Sequence, residues 1–150
     1  MRKSIRIMAL ALSVFAFSDG ATLAEEAQAS GQAQRVEQSK TLVYYFHGNI
    51  RCKTCNKIEA LTKKTLEEGF AAQLKNGSME LQVVNVDKAE NEHFVDDYEL
   101  AVRSVVLSQL KQGKEARWRR LDKVWQLVHD EAAFAQYLRD EISLLLNGKS

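Results

Sequence analysis

The sequence predicts an α/β domain, a three-layer α/β/α sandwich around a mixed sheet of about four strands in the order β-α-β-α-β-β-α. Three observations predict it. An apolar run, Thr41 to Phe46, leads through a cysteine pair into a stretch of helical period. A second Val- and Leu-rich run, Glu80 to Val86, follows at the distance a crossover requires. Beyond it, two further runs meet at Gly113, and an amphipathic segment closes the chain from Asp130.

Each element has its own reason. Residues 1–24 read as a secretory signal: Arg2, Lys3 and Arg6 form a basic head, Ile7 to Phe17 an apolar segment, and Thr22-Leu23-Ala24 a cleavage site. An uncleaved membrane anchor is the alternative, although the apolar segment is short for a bilayer. Residues 25–39 are rich in Gln, Ala and Glu and read as a flexible lead-in, so the folded domain is expected over residues 40–147. Thr41 to Phe46 is apolar without alternation, as a strand covered on both faces requires. From Thr54, the residues Ile58, Leu61, Thr65 or Leu66, Phe70 and Leu74 recur at helical steps, and Asn76-Gly77 ends one continuous helix. Glu80 to Val86 is the second strand. Asn91 to Leu100 reads as a short helix carrying Phe94 and Tyr98 on one face, with Asn91 as its cap. Ser104 to Leu110 and Glu115 to Leu121 are the third and fourth strands. The fourth alternates Ala116, Trp118 and Arg120 against Glu115, Arg117 and Arg119, the pattern of an edge. Val124 to Val128 is ambiguous. Asp130 caps a final helix whose face is Phe134, Leu138, Ile142 and Leu145.

The two cysteines stand in Arg51-Cys52-Lys53-Thr54-Cys55. At this spacing a helix's first turn can carry an exposed sulfur and a partly buried one within disulfide reach. The helix's N–H groups and dipole favour a thiolate on the first sulfur, and Arg51 and Lys53 add cations, with no carboxylate nearer in sequence than Glu59. Cys52 is therefore the candidate attacking thiol and Cys55 the resolving one. Two other readings stay open. A zinc site would need a second ligand pair, and His47, His93 and His129 are scattered. An inert bridge closing so short a loop would add little stability.

Composition narrows the function. Removing residues 1–24 takes Arg2, Lys3, Arg6 and Asp19 from 21 basic and 20 acidic residues, leaving 18 against 19. That near-neutral balance does not mark a nucleic-acid binder. Proline is absent from the whole chain.

These features resemble the thioredoxin superfamily. The residues that carry the resemblance are Leu42 to Phe46 before Cys52-Lys53-Thr54-Cys55 at a helix start, Leu81 to Asp87 as the next strand, and Arg103 to Leu107 leading to Gly113. More narrowly, Tyr44-Phe46-His47 with Arg51-Cys52 and Cys55, and Ser104 to Leu107, are similar to small exported thioredoxin-like proteins labelled as the ArsF-type subunit of a nitrophenyl-compound nitroreductase. The chain has no Gly-rich nucleotide fingerprint of the kind such an activity would use. The resemblance puts Arg103 where thioredoxins have a cis-proline; a cis bond before arginine would cost about 2.5–4 kcal/mol. An inward Arg103 would be a third cation near Cys52; an outward one would be an ordinary loop arginine. The resemblance also puts Tyr45, or a close neighbour in the same run, at the family's buried acid. Tyrosine transfers protons poorly at neutral pH, and His47 is a candidate substitute.

The resemblance implies an exported, periplasmic or secreted thiol–disulfide oxidoreductase whose cofactor is its own redox-active disulfide. Its partners would be protein thiols or disulfides, with a membrane-bound reductase as one candidate. Cys52 and Cys55 would carry the exchange, supported by Arg51, Lys53, Arg103 and His47. A copper- or zinc-binding protein using the same pair, and a non-catalytic partner subunit of a nitroreductase system, are the alternatives. Trp118 and Trp125 fit either core and rim packing or a partner-binding face.

Overall fold

The computed structural model describes residues 39–148; the expected signal and nearly all of the lead-in lie outside them. Strand β1 (Ser39–His47) sits inside a four-stranded sheet of order β2-β1-β3-β4. It pairs in parallel with β2 (Met79–Asn85) and antiparallel with β3 (Val105–Lys111), which pairs antiparallel with β4 (Lys114–Leu121). A parallel neighbour cannot be reached by a tight turn, so the chain crosses over through α1 (Lys53–Gly69) and α2 (Ala71–Lys75). A turn of 3-10 helix (Ala89–Asn91) and α3 (His93–Asp97) lead on to β3, and α4 (Val124–Leu127) and α5 (Glu131–Leu146) complete the domain.

β1 explains the layers. Leu42 through Phe46 are all buried, and the period of two sends alternate side chains to opposite cores. Val43 and Tyr45 join Ile58, Leu61 and Leu66 of α1, Leu107 of β3, and Phe134, Leu138 and Ile142 of α5. Leu42, Tyr44 and Phe46 meet Val86, Tyr98, Leu100 and Val106, with Phe94 against them. Rings of Tyr44, Phe46, Phe94 and Tyr98 lie 5.2–5.9 Å apart by centroid, within the range of favourable aromatic pairs. The result is the expected thioredoxin-like three-layer α/β fold with a mixed four-stranded sheet.

Two local expectations are corrected. The helix predicted as continuous from Thr54 to Leu74 is interrupted at Phe70 (φ −136°, ψ 27°), which separates α1 from α2. Gly69 is a weak helix former, and Phe70 turns its ring into the core, where it is 8% exposed. Asn91 does not cap α3: its Nδ2 donates to the Asn85 carbonyl at 2.9 Å, tying the loop back to the end of β2. The other signals have direct counterparts. Val124 to Leu127 is helical. Gln112 and Gly113, with φ of 52° and 77°, form the two-residue loop between Lys111 and Lys114, where a left-handed backbone favours glycine. Buried Thr62 and Thr65 occupy the apolar face of α1 because their hydroxyls donate back to the carbonyls of Ile58 and Leu61, both at 2.8 Å.

Asp130 accepts the Ala133 N–H at 3.0 Å and so caps α5, the helix that supplies four buried residues to the larger core. Replacing Asp130 with Ala is expected to destabilise the domain by about 1 kcal/mol in urea or guanidinium unfolding, with no change in the m-value.

Candidate functional site

Parallel pairing brings the C-terminal ends of β1 and β2 to one end of the sheet, His47 beside Asn85, and antiparallel pairing brings the start of β3 there too. The loops that follow or precede those ends converge. Asn49 N–H donates to Asp87 Oδ2 at 2.8 Å, Asn85 Nδ2 donates to Asn49 Oδ1 at 2.8 Å, and Phe46 N–H donates to the Ser104 carbonyl at 2.9 Å. Cys52 and Cys55 lie on this frame and are joined by a disulfide, with their Cα atoms 5.0 Å apart.

Cys52 is exposed, whereas Cys55 is half-buried. Cys52 is also the N-cap of α1, in extended conformation, and its Sγ accepts the Cys55 N–H at 3.0 Å. A serine or aspartate oxygen normally occupies that role. Here a sulfur does, so the negative charge a thiolate would carry is met by an N–H and by the positive end of a 17-residue helix. The helix has no acidic residue in its first turn to oppose it.

The supporting cations are arranged differently from a simple cluster around Cys52. Arg51 forms an ion pair with Glu59, one turn beyond Cys55 on α1. Arg103 Nη2 donates to Asp87 Oδ1 at 2.6 Å, and the Trp125 indole N–H donates to the Arg103 carbonyl at 2.6 Å. Much of the positive charge of both arginines is thus answered by carboxylates. Lys53 is exposed in the first turn of α1. His47 is half-buried, its Nδ1 is 2.9 Å from the Gly48 carbonyl oxygen, and its ring lies 6.3 Å from that of Tyr45.

Gly48 lies tight against the ion pair that closes the loops. A Cβ there would sit 2.7 Å from Asp87 Oδ2 and 3.2 Å from Arg103 Nη2, inside the ion pair that closes the loops. Asp87 has its carboxyl held below the usual aspartate range, first by the Asn49 N–H and then by Arg103, with His47 adding to the field.

Tyr45 is fully buried beneath the pair, and its hydroxyl donates to the Cys55 carbonyl at 2.7 Å. Burial pushes its phenol up, against the lowering influence of the nearby Arg51, so it stays protonated and serves as a neutral prop for the helix start. On the surface, Ile50 is 91% exposed two residues before Cys52, and Val102 is 50% exposed next to Arg103. Trp125 is partly buried against the larger core, while Trp118 stands 36% exposed with its ring edge-on to Tyr98 at 5.4 Å.

Sequence reasoning singled out the cysteines, Arg51, Lys53, His47, Tyr45 and Arg103, and it missed the work of Glu59, Asp87, Asn49 and Trp125. Glu59 was findable, since a residue four beyond Cys55 shares its helix face. Asp87 was findable only after β2 had been paired with β1. Among the described residues, no group of three or more His, Cys, Asp or Glu side chains could hold a metal ion.

No family model and no curated protein matches the sequence. Solved structures similar to it include several thioredoxins. Trxlp from Edwardsiella tarda is 17% identical, with 71% of this chain and 87% of that one covered and a TM-score of 0.42. Thioredoxin from Trypanosoma brucei brucei is 17% identical over 77% of this chain and 87% of its own, with a TM-score of 0.40. Oxidized thioredoxin O2 from Arabidopsis thaliana is 18% identical over 59% and 69%, at 0.39. The thioredoxin-like assignment of the fold is carried by strand order and crossover.

Two outcomes are expected. Tyr45→Phe removes the donor to the Cys55 carbonyl and should cost about 1 kcal/mol of stability, more in the oxidised than in the reduced protein if the prop holds the disulfide turn, as denaturant unfolding of each form will show. Asp87 has a folded-state value below its ordinary 3.8, so its stabilisation is fully present above that value and is lost as pH falls through the lower one. Asp87→Asn should therefore lower Tm near neutral pH, and the difference from the parent protein should disappear in melts at strongly acidic pH.

Proposed function

We propose that this chain is an exported thiol–disulfide oxidoreductase that exchanges electrons with partner proteins through Cys52 and Cys55. The observation that carries it is an exposed Cys52 sulfur at the cap of α1, bonded to a half-buried Cys55 and receiving its N–H. In the reducing direction, the Cys52 thiolate attacks a partner disulfide, one partner sulfur leaves as a thiolate and takes up a proton, and a mixed disulfide forms. Cys55 then loses its proton and attacks Cys52 Sγ, which releases the second partner thiol and leaves the Cys52–Cys55 disulfide. Two electrons pass to the partner. The reverse sequence oxidises a partner dithiol.

Direction follows from how well the reduced form is stabilised. The helix N-terminus and Lys53 favour the Cys52 thiolate and push the couple toward oxidation of partners, while Glu59 and Asp87 moderate the push that Arg51 and Arg103 would add. Exposed Ile50, two residues before Cys52, and exposed Val102, next to Arg103, suit a protein surface as partner, a membrane-bound reductase included. Export is supported by the basic head and apolar segment of residues 1–24, and it would put the couple in the periplasm or outside the cell, where disulfides persist.

Trapping tests the reading. Cys55→Ser should accumulate mixed disulfides through Cys52 with partner proteins, and Cys52→Ser should accumulate none and lose turnover of a model disulfide. A parent protein that neither reduces nor oxidises a model disulfide would sink the proposal. The same preparations separate the other readings: a copper- or zinc-binding protein takes up metal once reduced, and a non-catalytic subunit of a nitroreductase system co-purifies with a flavoprotein without exchanging disulfides.

A further inference from the structure

Exchange through Cys52 and Cys55 requires the half-buried Cys55 thiol to give up a proton before it attacks, and the present inference rests on that reading. Most polar groups around the pair are in no position to take it. Asp87 is committed, with Oδ1 accepting Arg103 and Oδ2 the Asn49 N–H, contacts that hold its carboxyl below the usual range. Tyr45 donates its own proton to the Cys55 carbonyl, and burial pushes its phenol up. Lys53 and Arg51 are cations without an acceptor.

Glu59 differs. It lies four residues beyond Cys55 on α1, and half-buried Cys55, half-buried Glu59 and fully buried Thr62 follow one another along a single stripe of the helix. Side chains in a helix lean toward its N-terminus, and the ion pair of Glu59 with Arg51, the residue before Cys52, shows that this carboxylate does so. It therefore lies over the turn that carries Cys55. Arg51 also reaches the Tyr45 hydroxyl, which donates to the Cys55 carbonyl, so carboxylate, guanidinium and phenol adjoin that residue together. Among the described residues, Glu59 Oε2 is buried and has no hydrogen-bond partner apart from the Arg51 ion pair. A buried carboxylate oxygen held by one cation and met by no other donor has a lone pair free to accept a proton.

We propose that Glu59 is the base that takes the Cys55 proton when the mixed disulfide is resolved. The Cys55 S–H bond breaks toward the carboxylate, the sulfur's electron pair forms the Cys55–Cys52 bond, and the bond from Cys52 to the partner sulfur breaks, leaving a partner thiolate. Glu59 then passes its proton to solvent or to that thiolate. In the opposite direction, protonated Glu59 returns the proton to the Cys55 sulfur as the disulfide opens. Arg51 positions the carboxylate and balances its charge, while Tyr45 steadies the turn. The remaining charged groups on this part of α1 are turned elsewhere: Lys57 and Lys64 to Glu131 of α5, and Lys63 to Glu67. α4 brings no charged side chain, and β1 brings only Tyr45 and His47 to this end.

The reduced protein mixed with an aryl disulfide that releases a coloured thiolate reads the two steps separately. The first equivalent reports attack by Cys52, and the second reports resolution by Cys55. Glu59→Gln, which keeps the shape and loses the base, should leave the first phase near the parent rate and slow the second about tenfold or more near neutral pH. The second phase of the variant should then rise about tenfold per pH unit as solvent takes over the proton, approaching the parent rate near the free-thiol value of about 8.5. The parent's second phase should stay level over that range, and so should that of Glu59→Asp, which keeps a carboxylate. A second phase of Glu59→Gln at the parent rate would overturn the proposal. A variant slowed equally in both phases, or by the same factor at every pH, would reduce Glu59 to a structural role and overturn it too. Slowing of the second phase by His47→Asn and not by Glu59→Gln would move the proton to His47. A parent protein that releases no coloured thiolate would instead sink the exchange reading itself.

Discussion

The parallel register of β1 on β2, with His47 beside Asn85, is the constraint on which everything at the disulfide depends. It is held by backbone hydrogen bonds in a strand buried on both faces, where an unpaired N–H or C=O would be costly. Because the register is firm, the loop after β1 meets Asp87 after β2, and the loop before β3 meets both. Slippage by a single residue would turn Tyr45 away from α1 and put Phe46 beneath the cysteines. The hydroxyl that now braces the Cys55 carbonyl would be lost with it.

Charge at the site is distributed rather than concentrated. Arg51 and Arg103 each answer a carboxylate, so their structural task is to join elements: Arg51 binds the loop to α1 through Glu59, and Arg103 binds the loop before β3 to the end of β2 through Asp87. What remains aimed at the Cys52 sulfur is local, the Cys55 N–H and the end of α1. Such backbone donors are pre-aligned and do not need a long side chain to be ordered, which makes them dependable stabilisers of a thiolate. Gly48 belongs to the same arrangement, because any side chain there would enter the Asp87–Arg103 contact.

The strongest local patterns were legible. Apolar runs without alternation marked β1, helical spacing marked α1 and α5, Asp130 marked a cap, and Gly113 a hairpin. Where readings failed, a tertiary contact had overridden a local preference. Phe70 leaves the helix because its ring is needed in the core, and Asn91 gives up a cap to bond the Asn85 carbonyl. The fate of Arg103 could not be read from the chain, since its partner Asp87 lies 16 positions away and becomes adjacent only through sheet pairing.

By itself the sequence determined the layers, the order of the elements and the position of the sulfur pair at a helix start, since period, caps and turn residues act over a few neighbouring positions. Only the tertiary structure decided which carboxylates take up the arginines, that a tyrosine hydroxyl supports the pair from below, and that Phe70 breaks the crossover helix in two. Those outcomes depend on groups far apart in the chain, whose meeting is set by strand register and helix packing rather than by any residue's own preference.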